Sequence, residues 1–503
     1  MAQVIVGKGG DGLVVLELSR ANRHGLVAGA TGTGKTVTLQ SLAEQMAAAG
    51  SSVFVSDVKG DLSGIAMAGN GEAWVTARYA ECGQAYVPRA NNVVFWDVDG
   101  KAGHPVRVTM SELGPLLLAR LLELSDVQTG VLQVVFQVAD DEGLLLLDLA
   151  DLRAMLSHVG EHAAEISKKY GAVAGVSLAG IQRALLGLEQ EGGTNLFGEP
   201  ALQVADLLGK GADGRGTIHV LHAVGLMQRP RIYGVFLLYL LSELFEDMPE
   251  VGDLAVPKLC LFFDEAHLLF NDTPKPLMDK IEQVVRLIRS KGVGVYFVTQ
   301  QPSDVPQTVL AQLGNRVQHA LRAATPQGQK DIQIAARTMA SNPKFSTEEV
   351  LPKLAVGEAL VSVLDAGGVP TPVQKTAILP PLSRVGAITE SERAQIIKDS
   401  PLRGRYEQTV DRESAAEMLA ERVGSEAPQN QPAKGGRNGG GTLEKMMVMA
   451  GRAAASSAAR QVTTAVVKEL VGGRGRSTQS IAGSVMATVA SSLVRGLLGG
   501  RSR

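Results

Sequence analysis

The sequence predicts an α/β fold with a mainly parallel sheet, an all-helical insertion and a helical C-terminal tail. Short apolar strand patterns alternate with helical patterns on both sides of a central block, the order expected of βαβ units. That block, residues 109–208, is helical in pattern throughout.

Taken in order, residues 13–19 and 24–28 read as strands, the second running into the Gly-rich segment 29–34. A helix is expected over 35–49, with Leu39, Leu42 and Met46 at helical spacing and Gly50 as its stop. Strands follow at 52–56 and 92–97, both rich in β-branched or aromatic residues. The helical block has apolar clusters such as Leu116, Leu117, Leu121 and Leu122, broken at Gly143, Gly160, Gly171 and Gly192. The strand pattern resumes at 216–223, precedes a helix over 231–245, and recurs at 258–263, 294–299, 317–322 and 358–364.

The expected organisation is a first part of the core over 1–108, the insertion over 109–208 and a second part of the core over 209–385. A polar helical segment follows at 386–424, then a linker over 425–441 rich in Gly, Asn, Gln and Pro, and an Ala/Ser-rich basic tail over 442–503. Apolar positions in the tail, among them Leu443, Met446, Val462 and Leu470, suggest a docking or self-association face toward a protein partner.

Composition sets further bounds. With 503 residues, 45% hydrophobic and 20% charged, the chain reads as globular, and at 4% aromatics it advertises no stacking platform for single strands. Cys82 and Cys260 cannot build a disulfide framework and lack neighbours at metal-ligand spacing. Residues 1–10 lack the features of a secretory signal and no apolar run is long enough for a transmembrane segment, so a cytoplasmic protein is expected. The net charge of −2 conceals a gradient: from residue 425 onward 11 Lys or Arg face 3 Asp or Glu, giving +8 and leaving −10 for the rest. Nonspecific attraction to polyanions is therefore expected mainly from the tail.

Gly29, Ala30, Thr31, Gly32, Thr33, Gly34, Lys35 and Thr36 fit G-x-x-x-x-G-K-[ST] between an expected strand and helix. In that context, backbone N–H groups turn toward phosphate oxygens at a helix N-terminus, with Val37 completing the nucleotide-binding stretch. Lys35 is expected to reach the β and γ phosphates, and Thr36 to ligate Mg²⁺. The apolar run 259–263 delivers Asp264 and Glu265 at a strand's carboxyl end, where ligands of open α/β sheets bind. Asp264 is the expected second metal anchor and Glu265 the general base for an attacking water. Gln300, after the run 294–299, is placed to sense the γ-phosphate or orient that water. Asp57-Val58-Lys59-Gly60 imitates a GTPase motif, but the chain has no N-K-x-D, so ATP is the expected nucleotide; Asp57 and Asp61 lie just beyond a core strand at the catalytic edge, and Asp57 is left between a supporting role and plain surface charge. Among the arginines able to reach a neighbouring subunit's site, Arg289, expected with Arg286 on the helix before the strand 294–299, is preferred over Arg286 and over Arg316 and Arg322 around the next strand.

These motifs, in the order G-A-T-G-T-G-K-T, F-F-D-E-A-H and V-T-Q-Q-P-S-D, resemble the HerA/FtsK branch of P-loop ATPases. More narrowly, the segments at 56–64, 103–107, 114–120 and 197–200 are similar to bacterial HerA-like proteins of the YjgR type, over roughly residues 10–385. The resemblance implies a RecA-like core assembled as a homo-oligomeric ring, a hexamer, with ATP at subunit interfaces and translocation along double-stranded DNA. It also implies P-loop roles for Lys35 and Thr36, metal and water roles for Asp264 and Glu265, a sensor at Gln300 and a finger at Arg289. HerA itself carries a β-barrel before its P-loop, whereas the loop here begins at Gly29. Two alternatives stay open: an ATP-driven protein-remodelling or secretion-type ATPase, and a nucleotide-dependent oligomeric scaffold.

Overall fold

In the computed structural model, residues 2–270, 275–322, 325–410 and 412–426 are described. They belong to one compact unit. The expected linker and tail, 425–503, lie almost wholly outside the described residues.

The framework is a twelve-stranded sheet. Its strands are β1 (Gln3–Gly9), β2 (Gly12–Glu17), β3 (Gly25–Ala28), β4 (Ser52–Asp57), β5 (Val93–Asp97), β6 (His104–Pro105), β7 (Ile218–His222), β8 (Leu259–Phe263), β9 (Val293–Thr299), β10 (Asn315–His319), β11 (Glu358–Ser362) and β12 (Gln374–Ile378). They lie side by side in the order β2-β1-β12-β11-β10-β3-β9-β8-β4-β7-β5-β6. From β10 to β6 every pairing is parallel. From β2 to β10 every pairing is antiparallel.

Every residue of β3, β4, β8 and β9 is buried, as expected of parallel strands covered on both faces. Alternation along each strand divides the core in two. Val53, Val55, Cys260, Phe262, Tyr296 and Val298 face the helix Lys35–Ala48 through Leu39, Leu42 and Met46. Phe54, Leu261, Phe263, Val295 and Phe297 face the other way, toward the helix Pro230–Asp247. The helices Met110–Leu121, Asp126–Glu142, Leu149–Glu161, Ala163–Tyr170 and Gly175–Gln190 extend this second layer. Capping boxes on Thr109, Ser125 and Asp148 start three of them, which explains why the block reads so plainly as helix.

The sequence reading requires three corrections. Strands β1 and β12, and the two-residue β6, were not expected. The segment β12 (QKTAI) is too polar to announce itself, and only its neighbours on the sheet make it a strand. The strand expected over 317–322 ends at His319, so Arg322 lies in the loop beyond it. Arg289 stands in the 3₁₀ turn Ile288–Lys291 rather than on the preceding helix, Lys275–Leu287.

Both cysteines are free and buried. Among the described residues no single helix is long and apolar enough to cross a membrane.

Candidate functional site

Because β3, β4, β8 and β9 are parallel neighbours, the loops leaving their carboxyl ends emerge on one edge of the sheet. Those loops carry Gly29 to Thr36, Asp57 to Asp61, Asp264 with Glu265, and Gln300.

The phosphate loop is held at its base by backbone bonds. The Gly29 N–H donates to the carbonyl oxygens of Thr299 and Gln300, at 3.2 and 3.1 Å, and the Ala30 N–H to that of Ala320 at 2.9 Å. Gly29 has φ 153°, and a Cβ there would lie 2.5 Å from the Cβ of His319, so only glycine fits. Gly34, at φ 110°, turns the chain into the helix Lys35–Ala48, whose N-terminus thus opens onto the loop. Lys35 Nζ folds back and donates to the carbonyls of Gly29 (2.6 Å) and Ala30 (3.1 Å). Burial, followed by the positive charge of Lys59, lowers its pKa.

The carboxylates differ in environment. Burial pushes Asp264 up to about 6, while Lys59 pulls the other way, and its Oδ2 is buried without a partner. Glu265 has a left-handed backbone, φ 46°, uncommon outside glycine. Its side chain is 4% exposed and meets Lys59 Nζ at 2.5 Å, His267 Nδ1 at 3.3 Å and Gln300 Nε2 at 3.5 Å. Burial raises its pKa, but Lys59, Gln300 and His267 together outweigh that and the net shift is downward. Burial pushes the pKa of Asp61 up, against a smaller downward pull from the nearby Lys59 ammonium and Thr36 side chain, and one of its oxygens, Oδ1, is buried without a partner.

The residues present fit a magnesium–nucleotide complex. Thr36, Asp61 and Asp264 offer hard oxygen donors, two of them orphaned and buried, at the mouth of an amide-lined turn. Among the described residues no cluster of three His, Cys, Asp or Glu could hold a metal by itself. That is the usual case for magnesium, which draws its remaining ligands from water and substrate phosphates. Beside the loop opens a cavity of about 540 Å³, lined by Thr31, Gly32, Gly34, Lys35, Thr36, Val37, Lys59, Asp61, Trp74, Arg78, Val356, Gly357, Ile378, Val385 and Gly386.

The structure therefore brings together Lys35, Thr36, Asp264, Glu265 and Gln300. It does not bring Arg289 to them. Arg289 precedes β9 and its charge bears on His24, which precedes β3, so it lies at the opposite end of the strands from its own phosphate loop. Arg316 is spent on the backbone carbonyls of Leu310, Leu313 and Thr338. Asp57 is buried, and its carboxylate accepts the N–H groups of Gly60 (2.7 Å) and Leu62 (3.2 Å), shaping the loop behind Lys59.

Sequence reasoning gave Lys59 no role, left Asp61 only at the catalytic edge beside Asp57, and missed His319 as a part of this site. His319 packs against Gly29 and Gly34, takes a hydrogen bond with Thr38 at 2.8 Å, and meets the Glu358 carbonyl through Nδ1 at 3.0 Å. The only signal for the first two was their place just after a buried strand at the same sheet edge.

Fold and site together define a P-loop nucleotide-binding protein with a parallel sheet of the RecA-like kind. The family model described as "Helicase HerA-like C-terminal" matches residues 3–503, and the chain belongs to that family. It is 30% identical over 138 residues to the "Probable helicase MJECL08" of Methanocaldococcus jannaschii, a match spanning 26% of this chain and 25% of that relative. In three dimensions it is similar to the plasmid coupling protein TrwB in complex with the non-hydrolysable GTP analogue GDPNP. The TM-score there is 0.50 at 14% identity, covering 77% of this chain and 92% of that one. VirB4 of Thermoanaerobacter pseudethanolicus superposes with a TM-score of 0.48 at 16% identity, covering 78% and 98%.

Proposed function

We propose that this chain is an ATP-hydrolysing, ring-forming motor that translocates along double-stranded DNA in the cytoplasm. The observation carrying the reading is that the loops bearing Lys35 and Thr36 and the pair Asp264 and Glu265 leave the same edge of the sheet, with Lys35 near enough to both carboxylates to feel their charge. The amides of Gly29 to Val37 receive the phosphates, and Lys35 leaves its resting bonds to the loop carbonyls to contact the β and γ groups. Thr36 and Asp264 would hold Mg²⁺, which would supply positive charge against the charge developing on the phosphates. Glu265 accepts the proton of the attacking water and Gln300 orients that water.

Arg289 serves a neighbouring subunit, because its place at the far end of the strands puts its own nucleotide out of reach. That assignment requires a closed ring, and a hexamer is the assembly the reading adopts. The name of the matching family and the nucleotide analogue named with TrwB support a nucleotide-driven machine.

The test is ATP turnover by the purified chain with and without duplex DNA, for wild type, Lys35→Ala and Glu265→Gln. Both substitutions are expected to reduce turnover about 100-fold or more. Duplex DNA is expected to stimulate the wild type, with binding that weakens steeply as salt rises. Turnover surviving in both variants would remove the site assignment.

A second reading, an ATPase acting on a polypeptide, is favoured by the charge of −10 over residues 1–424, a poor surface for a polyanion. Turnover indifferent to DNA, with a protein partner recovered through the tail at 442–503, would select it.

A further inference from the structure

We propose that Lys59 is the residue by which this site distinguishes a nucleoside triphosphate from a diphosphate. With no γ-phosphate in place it occupies Glu265; a γ-phosphate draws it away and frees that carboxylate. The inference rests on the ATPase reading and adds a residue and a regulatory step to it.

Three observations support it. Lys59 Nζ lies 2.5 Å from Glu265 Oε1, so the carboxylate expected to take a proton from water is engaged by an ammonium group. A base held this way has lost part of its capacity to accept, since the lone pair it needs is already directed at a donor. Lys59 also lines the same cavity as Thr31, Lys35 and Thr36, so its reach includes the phosphate-binding space as well as the carboxylate.

The two ends of Lys59 differ in freedom. Its backbone is pinned, because the buried Asp57 carboxylate accepts the N–H groups of Gly60 and Leu62 on the same loop. Its side chain is 36% exposed, against 4% for Glu265, so the lysine rather than the glutamate is free to move. A long stem with a rotatable ammonium can swing between neighbouring anions without moving its loop. A γ-phosphate carries more negative charge than one carboxylate and outcompetes it for the ammonium. A diphosphate places no such group there, and the Lys59–Glu265 pair persists. The base is thereby engaged in the empty and product-bound states and released only when there is a bond to cleave.

The test uses the full chain with Mg²⁺ and measures equilibrium binding of a fluorescent ADP and a fluorescent non-hydrolysable ATP analogue. Lys59→Met keeps the packing of the stem and removes the charge. It is expected to weaken the triphosphate analogue about 10-fold while ADP stays within about twofold, since only the triphosphate gains the new ion pair. Lys59→Arg is expected to recover most of the preference. Equal weakening of both ligands, or no change in either, overturns the inference and leaves the ATPase reading standing. A wild-type chain that binds neither nucleotide overturns the ATPase reading itself, and the inference with it.

Discussion

His24 and His219 are wholly buried and held as neutral rings by their surroundings. His24 accepts the Val295 N–H through Nδ1 at 3.0 Å, and burial lowers its pKa to about 4. His219 accepts the Trp96 indole N–H at 3.1 Å, and burial lowers it to about 3. Between these values and the ordinary 6.5 the unfolded chain binds more protons than the folded one, so stability rises with pH over that window. It is fully present above about pH 6.5 and is lost as pH falls toward 4. By pH 4 the His219 contribution alone amounts to a loss on the order of 3 kcal/mol. Urea midpoints measured from pH 7 to pH 4 are expected to fall, and His219→Gln, which keeps an acceptor for Trp96 but cannot titrate, to flatten part of that fall. A midpoint independent of pH would contradict the burial of both rings.

Among the elements, the segment after β12 shows how polar sequence can still be anchored. Tyr406 is fully buried, packs edge-on against Trp96 with ring centroids 5.1 Å apart, and its hydroxyl donates to Asp206 while accepting the Gln203 N–H. His104, also buried, joins Glu407 and Ser400 at 2.7 Å each. Asp151 accepts the Ala416 N–H at 2.9 Å, seating the helix Ala415–Glu426 on the helix Leu149–Glu161. Tyr406→Ala removes a large ring from this junction and is expected to cost about 3 kcal/mol or more in chemical denaturation. A cost below about 1 kcal/mol would mean that the segment is not integral to the unit. This anchoring was not legible beforehand, because Tyr406, Ala415 and Leu419 are too widely spaced to form a periodic pattern.

For the whole molecule, the separation of Arg289 from its own phosphate loop makes a prediction that only an assembly can meet. In the proposed ring Arg289→Ala lacks the finger and Lys35→Ala lacks the nucleotide site, so each alone is expected to be nearly inactive. Mixed in equal amounts and allowed to exchange subunits, they form some interfaces that pair an intact site with an intact arginine. Turnover is then expected to recover toward about a quarter of the wild-type value per subunit, the random fraction of complete interfaces. No recovery on mixing, in rings shown to exchange, would remove Arg289 from the reaction.

Local residue patterns determined the phosphate loop, the helix it starts, and the strands that end in Asp264, Glu265 and Gln300. Each rests on short-range chemistry: glycines permit the turn, and an unbroken apolar run signals a strand covered on both faces. The helical character of 109–208 was legible for the same reason, through its caps and periodic leucines. Tertiary structure alone decided which strand ends became neighbours. Strand β12 exists because pairing partners satisfy a polar segment that propensity would leave as loop, whereas β1 carries its own strand signal in Val4, Ile5 and Val6 that the sequence reading passed over. Lys59 meets Glu265, and His319 backs Gly29, only because β4 lies against β8 and β10 against β3, across sequence separations that no local pattern records. The same strand order placed Arg289 at the opposite end of the sheet, since a residue preceding a parallel strand must enter where the loops of the candidate site do not leave.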